Sequence, residues 1–139
     1  AWPEVQFMLQ TGMRRPVWRA LVGCLNWGSF MAGQVVDDLT WTPLLTSPKD
    51  DLTWAPQGPG SRRGLSRVLG LPLGTQHEEI AWCGHLMRLR GMVVERLGPG
   101  YEDLTLMDAQ NMCCEWSKYC RVLAGGPPPR SRYRPETSF

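Results

Sequence analysis

Four polar side chains near the C-terminal end recur at helical spacing and are of types that could do chemistry. Asp108, Asn111, Glu115 and Lys118 follow one another at steps of three, four and three, so one helix wall would carry all four. A carboxylate there could act as a general base, and an ammonium group could balance developing negative charge. The alternative is an ordinary solvated face, in which the pair of Glu115 and Lys118 contributes only about 0.3 kcal/mol.

The other side of the same segment indicates how this helix packs. Its apolar stripe recurs at steps of three and four and consists of Leu106, Ala109, Cys113, Trp116 and Cys120. Thr105 and Asp108 have the spacing of a capping box, which predicts that the helix begins there. Tyr119 falls at the edge of the polar wall. We therefore expect Trp116 to be buried and the polar wall to face away from the core.

A second candidate is an anion site at the start of a short helix. Gly58 and Gly60 allow backbone to approach a ligand closely, and Ser61 is a natural N-cap. Arg62 and Arg63 follow in the first turn, where cations oppose the helix dipole unless a negative ligand lies nearby. The alternative is a turn followed by exposed arginines. The sequence has no Walker A loop, so nothing in it predicts independent ATP hydrolysis.

A third candidate is the tight turn within Cys24–Ala32, between two helical stretches. Asn26 and Gly28 are the residues in it that best tolerate a left-handed backbone. Two helices across such a turn form a helix-hairpin-helix, whose backbone amides can hold a DNA phosphate. An ordinary helical corner is the alternative.

The periodicity as a whole predicts an all-α domain with a long, irregular, proline-rich connection over residues 40–60. Helices are expected over Trp2–Gln10, from Pro16 to the tight turn, and from that turn to about Leu39. A further short helix is expected to end at Gly70. A capping box at Thr75 predicts the start of the longest helix, which would end at Gly98. The buried stripe of that helix would be Trp82, Leu86, Leu89, Val93 and Leu97.

Composition limits the class of protein. The 139 residues suit one domain, residues 1–139, which we expect to be truncated at its N-terminus because the chain opens within an apolar run. No stretch is long enough for a membrane span. Five cysteines without a disulfide framework or paired zinc-ligand spacing indicate an intracellular, reduced protein with no metal site. No cofactor is indicated.

The basic charge is unevenly distributed along the chain. Residues 1–60 hold four basic and five acidic side chains, whereas residues 61–139 hold eleven and eight. Thirteen of the fifteen cations are arginine, the residue suited to bidentate phosphate contacts, which favours a nucleic-acid partner. The tail after Gly125 is basic and carries Tyr133, and it would be either a solvated end or an arm on the phosphate backbone.

Three motifs in order carry a resemblance to a known family: Leu25–Gln34, Ala55–Leu65, and the run Gln-Asn-x-x-Cys-Glu-x-x-Lys-Tyr-x-Arg within Asp108–Arg121. From about Val5 to Pro135 the chain resembles the helical domain of phage 5-hydroxymethyldeoxyuridine DNA kinases and the related glutamyl/putrescinyl-thymine pyrophosphorylases. Those domains are similar to helix-hairpin-helix DNA glycosylases. The hairpin departs from the family pattern, because Cys24–Gly28 replaces the usual Leu-Pro-Gly-x-Gly.

The resemblance implies a site and its residues. It implies that Gln110, Asn111, Glu115, Lys118, Tyr119 and Arg121 belong to this site, together with the loop from Gly58 to Arg62. It also implies that Asp51 corresponds to the acidic residue that glycosylase-like enzymes place after their hairpin, although the adjacent Asp50 could fill that position.

These implications give a first hypothesis, a DNA-base-modification domain in thymine hypermodification. It would flip hydroxymethyluracil, or its phosphorylated form, into a pocket between the hairpin and the last helix. Glu115 or Asp51 would be the general base, with Lys118 and Arg121 balancing charge, and Gln110 and Asn111 would read the pyrimidine edge. In the kinase version a P-loop domain in a longer chain, or in trans, supplies the phosphoryl group.

Two alternatives remain open at this point. One is a DNA glycosylase that uses Asp50 or Asp51, and the other is a non-catalytic DNA-binding module of a larger protein. In each case the partner is DNA, and the compartment would be the cytoplasm of a bacterial or phage-infected cell, or a eukaryotic nucleus.

Overall fold

The structure is a computed structural model that describes residues 2–25 and 27–127, without the side chains of Cys24 and Leu25. This part of the chain forms α-helices and no strand. The helices are α1 (Trp2–Leu9), α2 (Arg14–Leu25), α3 (Ser29–Leu39), α4 (Pro59–Leu69), α5 (Glu79–Leu97) and α6 (Leu106–Leu123). The prediction of an all-α fold with a long irregular connection is confirmed. Two predicted site residues, Asn26 in the hairpin and Tyr133 in the tail, lie outside the described residues.

The first apolar core holds the first three helices together. Its buried members are Val5, Val17, Ala20, Leu21, Ala32, Val36 and Leu45. Leu45 comes from the irregular connection, which therefore packs against the helices although it has no regular structure. The second core joins α4, α5 and α6, and the connection contributes Trp54 and Ala55 to it. The half-buried Trp18 of α2 packs against both cores and so links them.

The start of α2 is fixed by a residue far away in the sequence. Both carboxylate oxygens of the buried Asp50 accept backbone hydrogen bonds, from Arg14 N at 2.7 Å and from Arg15 N at 3.0 Å. A carboxylate at a helix N-terminus satisfies free amides and complements the helix dipole. The helix therefore begins before Pro16, where the sequence predicted its start.

Two other predicted helix starts are wrong. Helix α4 has Gly58 as its N-cap and Pro59 as its first residue, while Ser61 sits one turn in, where its Oγ accepts from Gly58 N at 3.1 Å. Helix α5 begins at Glu79 because the Thr75 hydroxyl donates to Pro72 O at 2.7 Å instead of capping a helix. Thr75 closes a local turn, which is the usual competitor of a cap, whereas Ser61 caps α4 from its third position by accepting from the N–H group of Gly58.

The start of α6 is confirmed. The Thr105 hydroxyl accepts from Asp108 N at 3.2 Å, and Asp108 Oδ2 accepts from Thr105 N at 2.7 Å. The predicted ends of α4 at Gly70 and of α5 at Gly98 are also confirmed, with positive φ angles of 67° and 82° at these glycines.

The predicted apolar stripes are only partly correct. On α5, Trp82 and Leu86 are buried and Leu89 and Val93 are half-buried, but Leu97 is 52% exposed. On α6, Trp116 is 45% exposed, whereas Gln110 and Ser117 are buried. The buried face of α6 is therefore rotated toward Gln110 and Ser117, the side against which α4 packs. No helix in the described part of the chain has the length and hydropathy needed to cross a membrane.

Candidate functional site

Two glycines of α4 let this helix touch α6 almost backbone to backbone. A Cβ atom at Gly64 would lie 1.8 Å from the carbonyl oxygen of Cys113, and one at Gly60 would lie 2.7 Å from Cys114 Sγ. Any larger residue at Gly64 would push the two helices apart. The glycines therefore set the distance between the walls of the cleft that opens beside this contact.

The cleft between α4 and α6 has a volume of about 400 Å³. Its lining residues are Gly60, Arg63, Arg67, Cys114, Ser117, Lys118 and Arg121. Four of them are cations, two from each helix, and none is a carboxylate. We call this group of residues the basic cleft.

The charges of the basic cleft are largely uncompensated. Within the described part of the chain, Arg63, Arg67 and Arg121 make no ion pair. Lys118 Nζ pairs with Glu115 Oε1 at 2.5 Å, and this hydrogen bond raises the pKa of Lys118, which stays protonated at neutral pH. Arginine is always charged. A cluster of cations without paired carboxylates attracts an anion. Guanidinium groups in particular match the geometry of phosphate.

Three of the predicted residues form a buried polar cluster next to the cleft. Ser61 Oγ donates to Gly58 O at 3.0 Å and accepts from Gln110 Nε2 at 3.1 Å. Gln110 is only 3% exposed, and its Oε1 has no hydrogen-bond partner. An unpaired buried carbonyl is costly, by about 1–3 kcal/mol. Gln110 therefore lies against the start of α4. The edge of a DNA base would contact it only if the first turn of α4 moved away.

The two arginines predicted at the start of α4 point in different directions. Arg63 lines the basic cleft, whereas Arg62 Nη1 donates to Gln76 Oε1 at 2.5 Å and lies near His77. Adjacent residues of a helix are about 100° apart around its axis, so both could not face α6. The structure brings Gly60, Arg63, Lys118 and Arg121 together and leaves Arg62 outside the cleft.

The remaining predicted residues of α6 lie on its outer surface or at its edge. The side chain of Glu115 is 69% exposed and contacts Lys118 without lining the cleft. Asn111 is half-buried and makes no side-chain hydrogen bond within the described residues. Tyr119 is exposed and stacks on Trp116, with ring centroids 5.6 Å apart.

The acidic candidates of the irregular connection are held in ion pairs and caps. Asp51 Oδ1 accepts from Arg14 Nε at 2.5 Å, in a separate cleft that Asp37 and Asp108 also line. Burial alone would lower the pKa of Arg14, but its hydrogen bonds to Asp51 and Asp37 outweigh burial and raise this pKa. Asp51 and Glu115 thus do not share one cleft. Gly28 is the N-cap of α3 in an extended conformation, with φ −62°, rather than a left-handed turn residue.

Comparison with known proteins identifies the family. Residues 6–126 match the family described as "5-hmdU DNA kinase, helical domain". The chain belongs to this family. No curated protein and no solved structure matches the chain. Membership links the chain to modification of hydroxymethyluracil in DNA.

Three residues of the basic cleft in this 5-hmdU DNA kinase helical domain were missed by the sequence analysis, namely Arg67, Cys114 and Ser117. Arg67 lies four residues after Arg63, and Ser117 lies four residues before Arg121, so each shares a helix face with a predicted residue. That spacing was a usable signal. Among the described residues, no group of three or more His, Cys, Asp or Glu side chains is placed to hold a metal ion.

Proposed function

We propose that this domain binds DNA containing hydroxymethyluracil by seating the basic cleft on the phosphate backbone. It would present the flipped base to a P-loop kinase domain, in a longer chain or in trans. The observation that carries the proposal is the convergence of Arg63, Arg67, Lys118 and Arg121 in one cleft without a carboxylate. A base inside the duplex cannot reach an active site, so flipping is required for chemistry at its methylene group.

The cleft has the properties of a phosphate site. Its cations come from two helices held in fixed register by the contacts of Gly60 and Gly64, so the helix backbones need little rearrangement in the binding step. Neutralising phosphates with these cations would release condensed counterions, which is the main source of affinity for DNA. The hydroxyl of Ser117 adds a neutral donor at the cleft wall.

The arrangement favours binding and positioning over catalysis by this domain alone. The cleft offers cations and a hydroxyl but no base, and its lysine is protonated. Glu115 is the nearest candidate base on α6, and it is already paired with Lys118. Glu115 could deprotonate the hydroxymethyl group, or an incoming amine in a pyrophosphorylase-like transferase. For either reaction Lys118 would first have to leave Glu115 and pair with a bound phosphate.

The glycosylase alternative has less support from the geometry. Asp50 uses both of its carboxylate oxygens on backbone amides of α2, and Asp51 is paired with Arg14. A carboxylate that activates the sugar must face the DNA, whereas these two hold α2 in place. An intracellular location, in a bacterial or phage-infected cell, fits a DNA substrate and the unpaired Cys83, Cys113, Cys114 and Cys120.

Fluorescence anisotropy with a hydroxymethyluracil-containing duplex tests the cleft. Each of Arg63→Ala, Arg67→Ala and Arg121→Ala should weaken binding about tenfold, since a charge-assisted hydrogen bond contributes about 1.5 kcal/mol or more. The slope of log K against log salt should fall by about 0.9 for each lost phosphate contact. Arg88→Ala, an exposed arginine of α5 outside the cleft, is the matched control and should change neither quantity.

Equal losses for the cleft variants and for Arg88→Ala would mean that binding is diffuse and that the cleft is not the site. Nucleoside analysis of the treated DNA, with ATP and a P-loop kinase domain supplied, separates the function classes. An altered base indicates modification, an abasic site indicates a glycosylase, and unchanged DNA with retained binding indicates a recognition module. Loss of modification in Glu115→Gln with binding intact would make Glu115 catalytic.

A further inference from the structure

A second, smaller cavity lies away from the basic cleft, where α2, the start of α3, the segment 54–57 and the start of α5 meet. Its volume is about 270 Å³. The lining side chains that matter chemically are Trp18, Arg19, Ser29, Trp54, Gln57 and Glu79. Small-molecule sites usually measure about 300–1,000 Å³, so this cavity suits a ligand no larger than a single planar ring with small substituents.

One wall of the cavity is a rigid aromatic surface. The indole rings of Trp18 and Trp54 lie with centroids 5.5 Å apart at an interplanar angle of 57°. Each ring is fixed by its N–H group, since Trp18 Nε1 donates to Ser29 O at 3.1 Å and Trp54 Nε1 donates to Glu79 Oε1 at 2.7 Å. Trp54 is only 5% exposed, so the half-buried Trp18 offers the larger accessible surface, and contact with these rings costs little ordering because they are held before any ligand arrives.

A negative charge lies beside the aromatic wall, since the Glu79 carboxylate lines the cavity next to the Trp54 ring. Both oxygens of Glu79 accept from Arg15, at 2.7 Å from Nε and 2.7 Å from Nη2. The hydrogen bond from Arg15 lowers the pKa of Glu79 to about 2. Glu79 is therefore ionised throughout the physiological range and is too weak a base to take a proton. Its oxygens already accept from Arg15 and Trp54, and the remaining lone pairs accept a hydrogen bond from a neutral donor such as a hydroxyl or an imide N–H.

The mouth of the cavity carries a free cation. Arg19 is exposed and makes no ion pair within the described part of the chain. A guanidinium at the edge of a pocket that is sized for one ring fits a nucleotide, because the ring enters the pocket while the phosphate stays outside with the arginine.

We propose that this cavity receives the flipped hydroxymethyluracil base, with its ring against the wall of Trp18 and Trp54. The carboxylate of Glu79 accepts a hydrogen bond from the hydroxymethyl group, and Arg19 contacts the phosphate next to the flipped nucleotide. This inference rests on the proposed DNA binding, but it concerns a different surface: the basic cleft supplies affinity for the backbone, and this cavity selects the base before a P-loop kinase domain receives it.

The selection gives a measurable signature. Two duplexes of one sequence, with a single hydroxymethyluracil or thymine opposite adenine, are compared by anisotropy. The wild-type domain should prefer the hydroxymethyluracil duplex about tenfold, the effect of one hydrogen bond to a charged group. Glu79→Gln should reduce this preference to less than about threefold and leave the affinity for the thymine duplex unchanged. Glu95→Gln, an exposed glutamate of the same helix, is the matched control and should keep the preference.

Because Glu79→Gln also weakens the pair with Arg15, a loss of base preference in this variant could come from misfolding. A second variant and a second signal therefore test the cavity independently. Arg19→Ala removes an exposed side chain that makes no ion pair with any described residue, so it should melt like the wild type. With 2-aminopurine next to the modified base, fluorescence should rise when the wild type binds, and this rise should fall by half or more in Arg19→Ala.

The outcomes separate the two proposals. A wild-type domain that does not bind DNA overturns both of them. A second outcome overturns only the base cavity. In it, binding depends on the basic cleft, the base preference is absent or is unchanged in Glu79→Gln, and the 2-aminopurine signal is unchanged in Arg19→Ala.

Discussion

The contact of Gly64 with α6 offers a sharp test of the structure, because three backbone atoms of Cys113 occupy the space that a Cβ would need. They lie 1.8, 2.5 and 3.0 Å from its ideal position, and no side-chain rotation can relieve the overlap. Gly64→Ala should therefore force α4 and α6 apart. Overpacking typically costs about 1–3 kcal/mol, and a rigid backbone obstacle places this case at the upper end. The better helix propensity of alanine returns about 1 kcal/mol, so the net destabilisation should be about 2 kcal/mol.

Urea denaturation followed by far-UV circular dichroism measures this change in the free energy of unfolding. Gly84→Ala and Gly91→Ala are matched controls, since both glycines lie inside α5 with nothing within 4 Å of a Cβ. Each control should gain about 0.5–1 kcal/mol from helix propensity alone. If Gly64→Ala were as stable as these controls, the close approach of the two helices would be wrong, and the basic cleft beside it would lose its geometric basis.

Three other predictions concern single groups. The pKa of Glu79 is about 2 in the folded protein against a reference value of 4.5, so its pair with Arg15 stabilises the fold above pH 4.5 and this contribution is lost as the pH falls toward 2. The pair is partly exposed and contributes about 1 kcal/mol, so the difference in unfolding free energy between wild type and Glu79→Gln should vanish in acid. Thr105→Ala should cost about 1 kcal/mol in urea denaturation, since it removes the cap of α6, and an unchanged midpoint would contradict the capping box. Burial raises the pKa of the Cys113 thiol to about 11, so iodoacetamide and mass mapping should find Cys113 unlabelled in the native protein and labelled in urea, and rapid native labelling would contradict its burial.

The sequence predicted those parts of the fold that depend on neighbouring residues. The capping box of Thr105 and the glycine stops at Gly70 and Gly98 are local signals, and each boundary is where it was expected. The start of α2 was predicted wrongly because its cap, Asp50, comes from a segment 36 residues away. The hydroxyl of Thr75 illustrates the opposite error, since a residue able to cap a helix closed a turn on Pro72 instead.

The sequence predicted several residues that line the cleft, but it did not predict which side of α6 is buried. The types of residue on α4 and α6 indicated an anion site, and Arg63, Lys118 and Arg121 do line one cleft. Periodicity cannot say which side of α6 meets its neighbour, and the exposed Trp116 shows the cost of assuming that the most apolar side does. The buried face includes Gln110 and Ser117 because the glycines of α4 require backbone, rather than a bulky side chain, opposite them.

The same spacing that brings the helices together also concentrates the charge. Gly60 and Gly64 are one turn apart on α4, and Arg63 and Arg67 are one turn apart on the adjoining face, so close backbone contact carries both arginines toward α6. There they meet Lys118 and Arg121, and four like charges in one cleft repel one another in the free protein. In the part of the chain that the structure describes, Glu115 is the one carboxylate paired with a cation of the cleft, and it offsets this repulsion from an exposed position at the edge. A phosphate seated among the cations would relieve the repulsion and free Glu115 from Lys118, so in this arrangement the binding of DNA and any chemistry of Glu115 are coupled through one lysine.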